Sequence, residues 1–233
     1  MKKFFGFVLS AVGLLLTLVL GILAALEFVG TDADLYYRLQ QRYGVLDTAG
    51  ISQEDLKTVD AAMAECLKGD AAALPALSDI SIDGEMRAPF HDYEQVHMDD
   101  CRHLFDLLRT VKHCLYFAPL LAISGMLLLN DAKRFRRASI LALLLILMPL
   151  GAFGIWAAAD FDAAFTFFHH LLFTNNLWLL NPDTDLLIRI CPEEMFMQMG
   201  IRIASVFALW VIFVLIAVNA LNRWKLSKRD KRG

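Results

Sequence analysis

The sequence lacks the signatures of most familiar catalytic classes. There is no GxSxG elbow, so a serine hydrolase of that type has no support. There is no HExxH pair to hold zinc on a helix. The four cysteines include no CxxC pair, which leaves zinc-ribbon and dithiol redox readings without support, and Cys101 has no local signature of a cysteine nucleophile. Internal repeats, low-complexity tracts, a lipobox and a retention signal are also missing. Charged residues make up only 20% of the chain, with a net charge of −3 that averages faces of opposite sign, and no nucleic-acid partner is expected.

What is abundant is apolar surface. Of 233 residues, 58% are hydrophobic, including 17 Phe and 9 Met. A soluble domain usually holds about 45–50%. The excess lies in four segments, roughly 4–29, 113–129, 138–159 and 199–221. Each is long enough to cross the hydrocarbon of a bilayer as a helix, the form in which a single segment satisfies its own backbone hydrogen bonds. The first segment exceeds the apolar run of a signal peptide and shows no convincing cleavage site before Glu27, so it reads as an uncleaved anchor.

Basic residues set the orientation. Lys2 and Lys3 precede the first span, Lys133, Arg134, Arg136 and Arg137 follow the second, and Arg223, Lys225, Lys228, Arg229, Lys231 and Arg232 follow the fourth. Basic flanks mark the cytoplasmic side. The expected order is therefore a first transmembrane helix over 1–29 with its N-terminus inside, an extracellular cap over 30–108 and a second transmembrane helix over 109–130. A cytoplasmic loop at 131–137, a third span at 138–159 and an extracellular aromatic interfacial segment at 160–198 follow. A fourth span at 199–222 and a basic cytoplasmic tail at 223–233 complete it. The fold class is an all-α integral membrane protein with a small, mostly helical cap. Cys66, Cys101 and Cys191 fall outside in this order, where a disulfide among them is compatible with the compartment and its pairing is left open.

Within the cap, Thr31-Asp32 opens a short helix over 33–43 that Gly44 ends, and Ser52 with Asp55 opens a second that Gly69 stops. Leu56, Val59, Met63, Cys66 and Leu67 make one apolar stripe on it, with Asp60 and Lys68 facing away. Residues 71–85 read as a connector with a turn at Asp83-Gly84. Asp92 and Gln95 open a helix that carries His97, Asp100, Cys101 and His103 toward the second span. Pro149 marks a kink in the third. The cap is too small to bury a full core alone and is expected to rest on the outer ends of the spans. In the aromatic segment, Asp162 caps a helix over 163–173, Asp185 and Arg189 form a surface pair at i, i+4, and Pro192 begins the last helix with Glu193 and Glu194.

All six histidines fall in the outer regions or near their boundary with the membrane. His91 and His103 read as solvated and His113 as interfacial. His169 shares a helix face with Phe165, Phe168 and Leu172, while His170 turns about 100° away. On spacing alone, His169 reads as a core or interfacial residue ahead of a catalytic one. His97 and Cys101 stand at i, i+4 beside Asp100, a geometry able to hold zinc if His169 completes the set.

The run Glu94-x-x-His97-Met98-x-Asp100, then Phe168-His169-x-Leu171-Leu172-Phe173, Trp178, Pro182-x-x-Asp185-x-Leu187-Ile188 and Pro192-Glu193 resembles the bacterial lipoprotein intramolecular transacylases, and essentially the whole chain takes part. The resemblance implies an enzyme of the bacterial cell membrane that moves the sn-2 acyl chain of a diacylglyceryl lipoprotein to the α-amino group of its N-terminal cysteine, giving a lyso-form lipoprotein. It implies that the catalytic pair falls on His97 and His169. Beside that pair, Asp100 either orients His97 or caps and pairs locally, Glu94 reads as supporting, and Phe168, Phe173 and Trp178 read as pocket walls. Cys101 stands where an aliphatic residue is more usual, His170 is a second adjacent histidine, and Thr174-Asn175-Asn176 replaces a Pro/Gly/Asp turn.

The chemistry is consistent with these residue types. Aminolysis of an ester needs a base for the amine and stabilisation of the carbonyl oxygen, and histidine can supply either. Substrate provides both nucleophile and acyl donor, and replacing an ester by an amide is downhill, so no cofactor, resident metal or ATP site is expected. The alternatives are a metal-dependent membrane hydrolase using His97, Asp100, Cys101 and His169, and a non-enzymatic scaffold for envelope proteins. One geometric demand is strict. A straight helix entering the membrane near Arg109 would hold His97 about 18 Å above the interface, so a paired mechanism requires that helix to tilt, break or enter earlier.

Overall fold

A computed structural model describes residues 1–129 and 131–230, the side chains of 225, 226 and 228–230 excepted. Of the basic tail, Lys231 and Arg232 lie outside the described residues, as do the side chains of Lys225, Lys228 and Arg229. In chain order the elements are α1 (Lys2–Gly30), α2 (Ala33–Arg42), α3 (Val45–Thr48), α4 (Gln53–Lys68), β1 (Ile80–Ile82) and β2 (Glu85–Arg87). They continue with α5 (Asp92–Leu115), α6 (Ala118–Leu129), α7 (Ala132–Ala159), α8 (Phe161–Leu172), α9 (Leu186–Ile190) and α10 (Glu193–Asp230). Among the described residues, four helical stretches are long and apolar enough to cross a membrane: Lys2–Gly30, Asp92–Leu129, Ala132–Ala159 and Glu193–Trp224. The second is the α5–α6 pair, which the turn at Tyr116-Phe117 interrupts.

The chain forms two compact units. One comprises 1–25, 111–154 and 203–233. Its core joins Leu14 and Leu18 of α1, Met126 and Leu129 of α6, and Phe135 of α7 with Phe207 of α10. Small residues bring α1 and α6 into backbone contact: a Cβ on Gly13 would come 2.3 Å from the Ala122 nitrogen, and one on Gly125 2.4 Å from that of Ser10. Close backbone approach of this kind replaces the hydrophobic drive that lipid removes. On α10 the Trp210 indole occupies the space that a Gly21 side chain would take, and its Nε1 donates to the Thr17 carbonyl at 2.9 Å. Helix α7 starts at Ala132 after Asp131 accepts from the Lys133 and Arg134 nitrogens at 3.0 and 3.2 Å, so the basic residues expected in a loop stand in its first turns. Pro149 lies inside α7, which continues on both sides of it.

The other unit comprises 26–110 and 155–202. Helices α2 and α4 pack together, with Leu35 and Leu39 buried on one and Leu56, Val59 and Met63 on the other. Asp32 and Ser52 cap them as the sequence predicts, accepting from the nitrogens of Leu35 and Asp55, and Gly69 at φ +117° ends α4. The end of the connector expected over 71–85 instead joins residues 86 and 87 in an antiparallel hairpin turning at Asp83-Gly84, with Ile80 opposite Arg87. Its turn is held by Arg189, whose guanidinium donates to both Asp83 oxygens at 2.7 and 2.9 Å. This corrects the Asp185–Arg189 pair. Asp185 is buried and accepts from Tyr93, Thr184 and the Asn181 nitrogen instead. The cap of α8 is Asp160 rather than Asp162, accepting from the Ala163 nitrogen at 3.0 Å. The four cysteines are free thiols.

Asp60 is the clearest reversal. Expected on the outer face of α4, it is 1% exposed and accepts from Gln40 Nε2 at 2.8 Å, while Gln40 also donates to the Ile190 carbonyl at 3.0 Å. A helical stripe predicts the average direction of a face, but one carboxylate can turn inward when a buried amide meets it. Burial pushes the Asp60 carboxyl up to about 7, against the Gln40 bond that lowers it. Since the folded-state value lies above the unfolded one, the folded protein holds this proton more tightly. The stability it contributes is full below about pH 4 and is lost as pH rises through 7. Thermal unfolding in detergent should therefore show a melting temperature that falls between pH 5 and pH 8. In Asp60→Asn, which keeps an oxygen for Gln40 but cannot ionise, that component of the fall should vanish. An identical pH slope in the variant would show that Asp60 is not its source.

Candidate functional site

Helix α5 carries Glu94, His97, Asp100 and Cys101 in its first three turns, and α8 carries Phe165, Phe168, His169 and Leu172. The unit that contains both brings the two histidines together. Their ring centroids lie 6.1 Å apart, and each residue is more than nine-tenths buried, at 7% exposure for His97 and 8% for His169. The separation that would have excluded a paired site is absent. Around them stand Phe173, 5.0 Å from His97 and 5.6 Å from His169, and Trp178, 4.9 Å from His169. Phe165 packs closest, at 3.9 Å from His169. Phe168, expected as a wall, meets His169 edge-on at 5.8 Å and leaves much of its ring exposed. His170 is exposed, with its ring edge-on to Trp178 at 5.1 Å.

The two imidazoles differ in their hydrogen bonding. His169 Nδ1 lies 2.8 Å from the Phe165 carbonyl oxygen, one helical turn back. A carbonyl can only accept, so Nδ1 carries the proton and Nε2 keeps its lone pair. Burial lowers the pKa of His169 below the ordinary histidine value, the neighbouring His170 acts in the same direction, and the Phe165 bond opposes them. His169 is therefore neutral at pH 7. His97 Nε2 lies 3.8 Å from Cys101 Sγ. Its Nδ1 is buried, and no described residue hydrogen-bonds it.

The supporting residues hold backbone more than they touch imidazole. Glu94 has no exposed surface, and its two oxygens accept from the His91 and Leu187 nitrogens, both at 2.8 Å. It thereby joins the start of α5 to the start of α9. Asp100 accepts from Asn175 Nδ2 at 2.8 Å. Asn175 in turn accepts from the Trp178 indole through its carbonyl and from the Leu177 nitrogen through its side chain. The Thr174-Asn175-Asn176 turn thus fixes the Trp178 ring against His169 and ties it to the turn of α5 that follows His97. Sequence reading missed Asn175 as a site residue, because a single Asn in a loop has no period to betray it. The Phe165 carbonyl stands at i−4 of His169, one helical turn back, where a helical side chain can reach it.

Among the described residues, three potential metal-ligand atoms gather within 4.8 Å at His91, Glu94 and Asp185. Both carboxylates there already accept hydrogen bonds through both of their oxygens. The set expected for a metal-dependent hydrolase, His97, Asp100, Cys101 and His169, is not such a group among the described residues. A buried histidine pair in an aromatic chamber, with one free lone pair and one unpartnered ring nitrogen, can move protons between nitrogen and oxygen atoms of a bound group.

The comparisons with known proteins agree with this architecture. The lipoprotein intramolecular transacylase Lit of Bacillus cereus has a similar solved structure, with a TM-score of 0.66 at 20% identity, over 99% of this chain and 98% of that one. Two structures of that enzyme with one histidine replaced, by alanine or by arginine, give TM-scores of 0.65 at 19% and 20% identity. They cover 99% and 100% of this chain, and 96% and 95% of theirs. At such identity the likeness establishes the fold. No curated protein matches the sequence. The family model for the lipoprotein intramolecular transacylase Lit matches residues 10–196, and on that match the chain belongs to this family of membrane-integral acyltransferases.

Proposed function

We propose that this protein transfers the sn-2 acyl chain of a diacylglyceryl lipoprotein to the α-amino group of the same molecule's N-terminal cysteine, with His97 and His169 as the catalytic pair. The observation that carries the reading is the 6.1 Å approach of two buried imidazoles with different hydrogen-bonding states. The amine nitrogen attacks the ester carbonyl carbon and gives its proton to Nε2 of His169. A carbon–nitrogen bond forms, the carbon–oxygen bond to glycerol breaks, and the proton passes to the departing glycerol oxygen. His97 stabilises the oxyanion between these steps. Atoms and charge balance without a further reactant, and the product is an N-acyl, lyso-glyceryl lipoprotein.

The surroundings serve the same chemistry. Phe165, Phe173 and Trp178 crowd the imidazoles with apolar rings, which keeps out water that would hydrolyse the ester. Binding amine and ester as one molecule converts the encounter to an intramolecular one. Orientation follows from the basic flanks: both termini cytoplasmic, with residues 30–108 and 160–198 at the extracellular face of the cell membrane.

Mass spectrometry of lipoprotein N-termini, with and without the protein, tests the reading. An N-acyl, lyso-glyceryl cysteine should appear only when the protein is present, and an unchanged diacylglyceryl product would overturn the proposal. His97→Ala and His169→Ala should each lower kcat by roughly 10²–10⁴-fold, the usual worth of a positioned acid or base. Wild-type kcat in either variant would remove that residue from the mechanism. The pH profile is a separate check. A neutral α-amine is required, so kcat/KM should rise with pH through about 7.7–8, the ordinary range for an α-ammonium. Because burial lowers the pKa of His169, its protonation should limit the rate only below about 6.5. A histidine inflection above that point would contradict a desolvated base.

A further inference from the structure

Cys101 stands one helical turn after His97 on the same face of α5, with Sγ 3.8 Å from Nε2. A thiol has one proton to give, and an imidazole lone pair accepts it better than sulfur accepts an N–H. When Nε2 accepts, the ring's own proton sits on Nδ1. That atom is buried, in a residue 7% exposed, and lacks a partner among the described residues. A buried polar atom left unpaired in a native fold calls for an explanation, and a substrate acceptor is one. His169 has the complementary state, with its Nδ1 proton given to the Phe165 carbonyl and its Nε2 lone pair free.

We infer that Cys101 is a positioning residue whose thiol holds His97 in the Nδ1–H tautomer, so that His97 presents a hydrogen-bond donor to the reacting oxygen while His169 presents an acceptor to the amine. The tautomer assignment stands on the geometry of α5, and its catalytic consequence rests on the acyl-transfer reading above. A free histidine side chain prefers its proton on Nε2. Without the thiol, His97 reverts to that form and offers a lone pair where the oxyanion needs a donor. Packing alone makes the opposite demand: an aliphatic residue would fill this place at least as well as a cysteine.

Cys101→Val and Cys101→Ser separate the two roles. The full-length protein, labelled with ¹⁵N-histidine in nanodiscs and assigned with His97→Gln, should show His97 as Nδ1–H in the wild type and in Cys101→Ser, and as Nε2–H in Cys101→Val. In turnover, Cys101→Val should lose about three- to tenfold in kcat with KM within about twofold, the worth of one hydrogen bond, and Cys101→Ser should recover most of it. A wild-type His97 protonated on Nε2, or a Cys101→Val protein that keeps the Nδ1–H form, overturns the inference. So does Cys101→Val turnover equal to wild type. A wild-type protein that yields no N-acyl product overturns the function instead, and the spectrum still decides the tautomer.

Discussion

Two backbone nitrogens converge on one carboxylate at the centre of this site. Glu94 has no exposed surface and binds the nitrogens of His91 and Leu187, residues far apart in the chain. A buried carboxylate is tolerated only when such donors replace its water, and removing either donor would leave a charge unsatisfied. The pairing therefore has one geometry. It joins the first turn of α5, and with it His97 one turn further on, to the segment between α8 and α10. Tyr93 and Arg87 add bonds to Asp185 and to the Thr184 carbonyl, and Asn175 with Asp100 closes the other side.

Within that frame, asymmetry between like residues is set by what stands one turn away. His169 finds a carbonyl at i−4, and His97 finds a thiol at i+4. The first contact accepts a hydrogen bond from the ring, and the second, in the inference drawn above, donates one to it. Burial holds His169 below the ordinary histidine range, so it starts with a free lone pair rather than a charge. On the proposed reading, a reaction between two groups of a single substrate needs no covalent enzyme intermediate.

Much of this was legible in the residues. The four apolar stretches, the Asp32 and Ser52 caps and the Gly69 stop follow from hydropathy and side-chain chemistry acting over a few residues. His97 and His169 could be singled out by the motifs around them. Two of the differences share one cause: neighbours at i±4 and the helical stripe indicate exposed faces for Asp60 and Asp185, whereas their partners come from other elements, Gln40 on α2 and Tyr93 on α5. The third is local, since Asp160 rather than Asp162 reaches the free Ala163 nitrogen of α8. The Asp83-Gly84 turn was visible, but the strands on either side of it were not, because three-residue strands carry too little periodicity to register.

The sequence by itself determined that the chain holds membrane-spanning helices, where its caps lie, and which two histidines could serve an acyl transfer. Those properties depend on composition and on contacts within one or two helical turns. Only the tertiary structure decided that the histidines meet, that Glu94 and Asp100 hold the frame rather than the imidazoles, and that the two rings sit in different hydrogen-bonding states. Such outcomes depend on which distant donor reaches a buried acceptor, and a buried polar group accepts whichever partner the packing of other segments delivers.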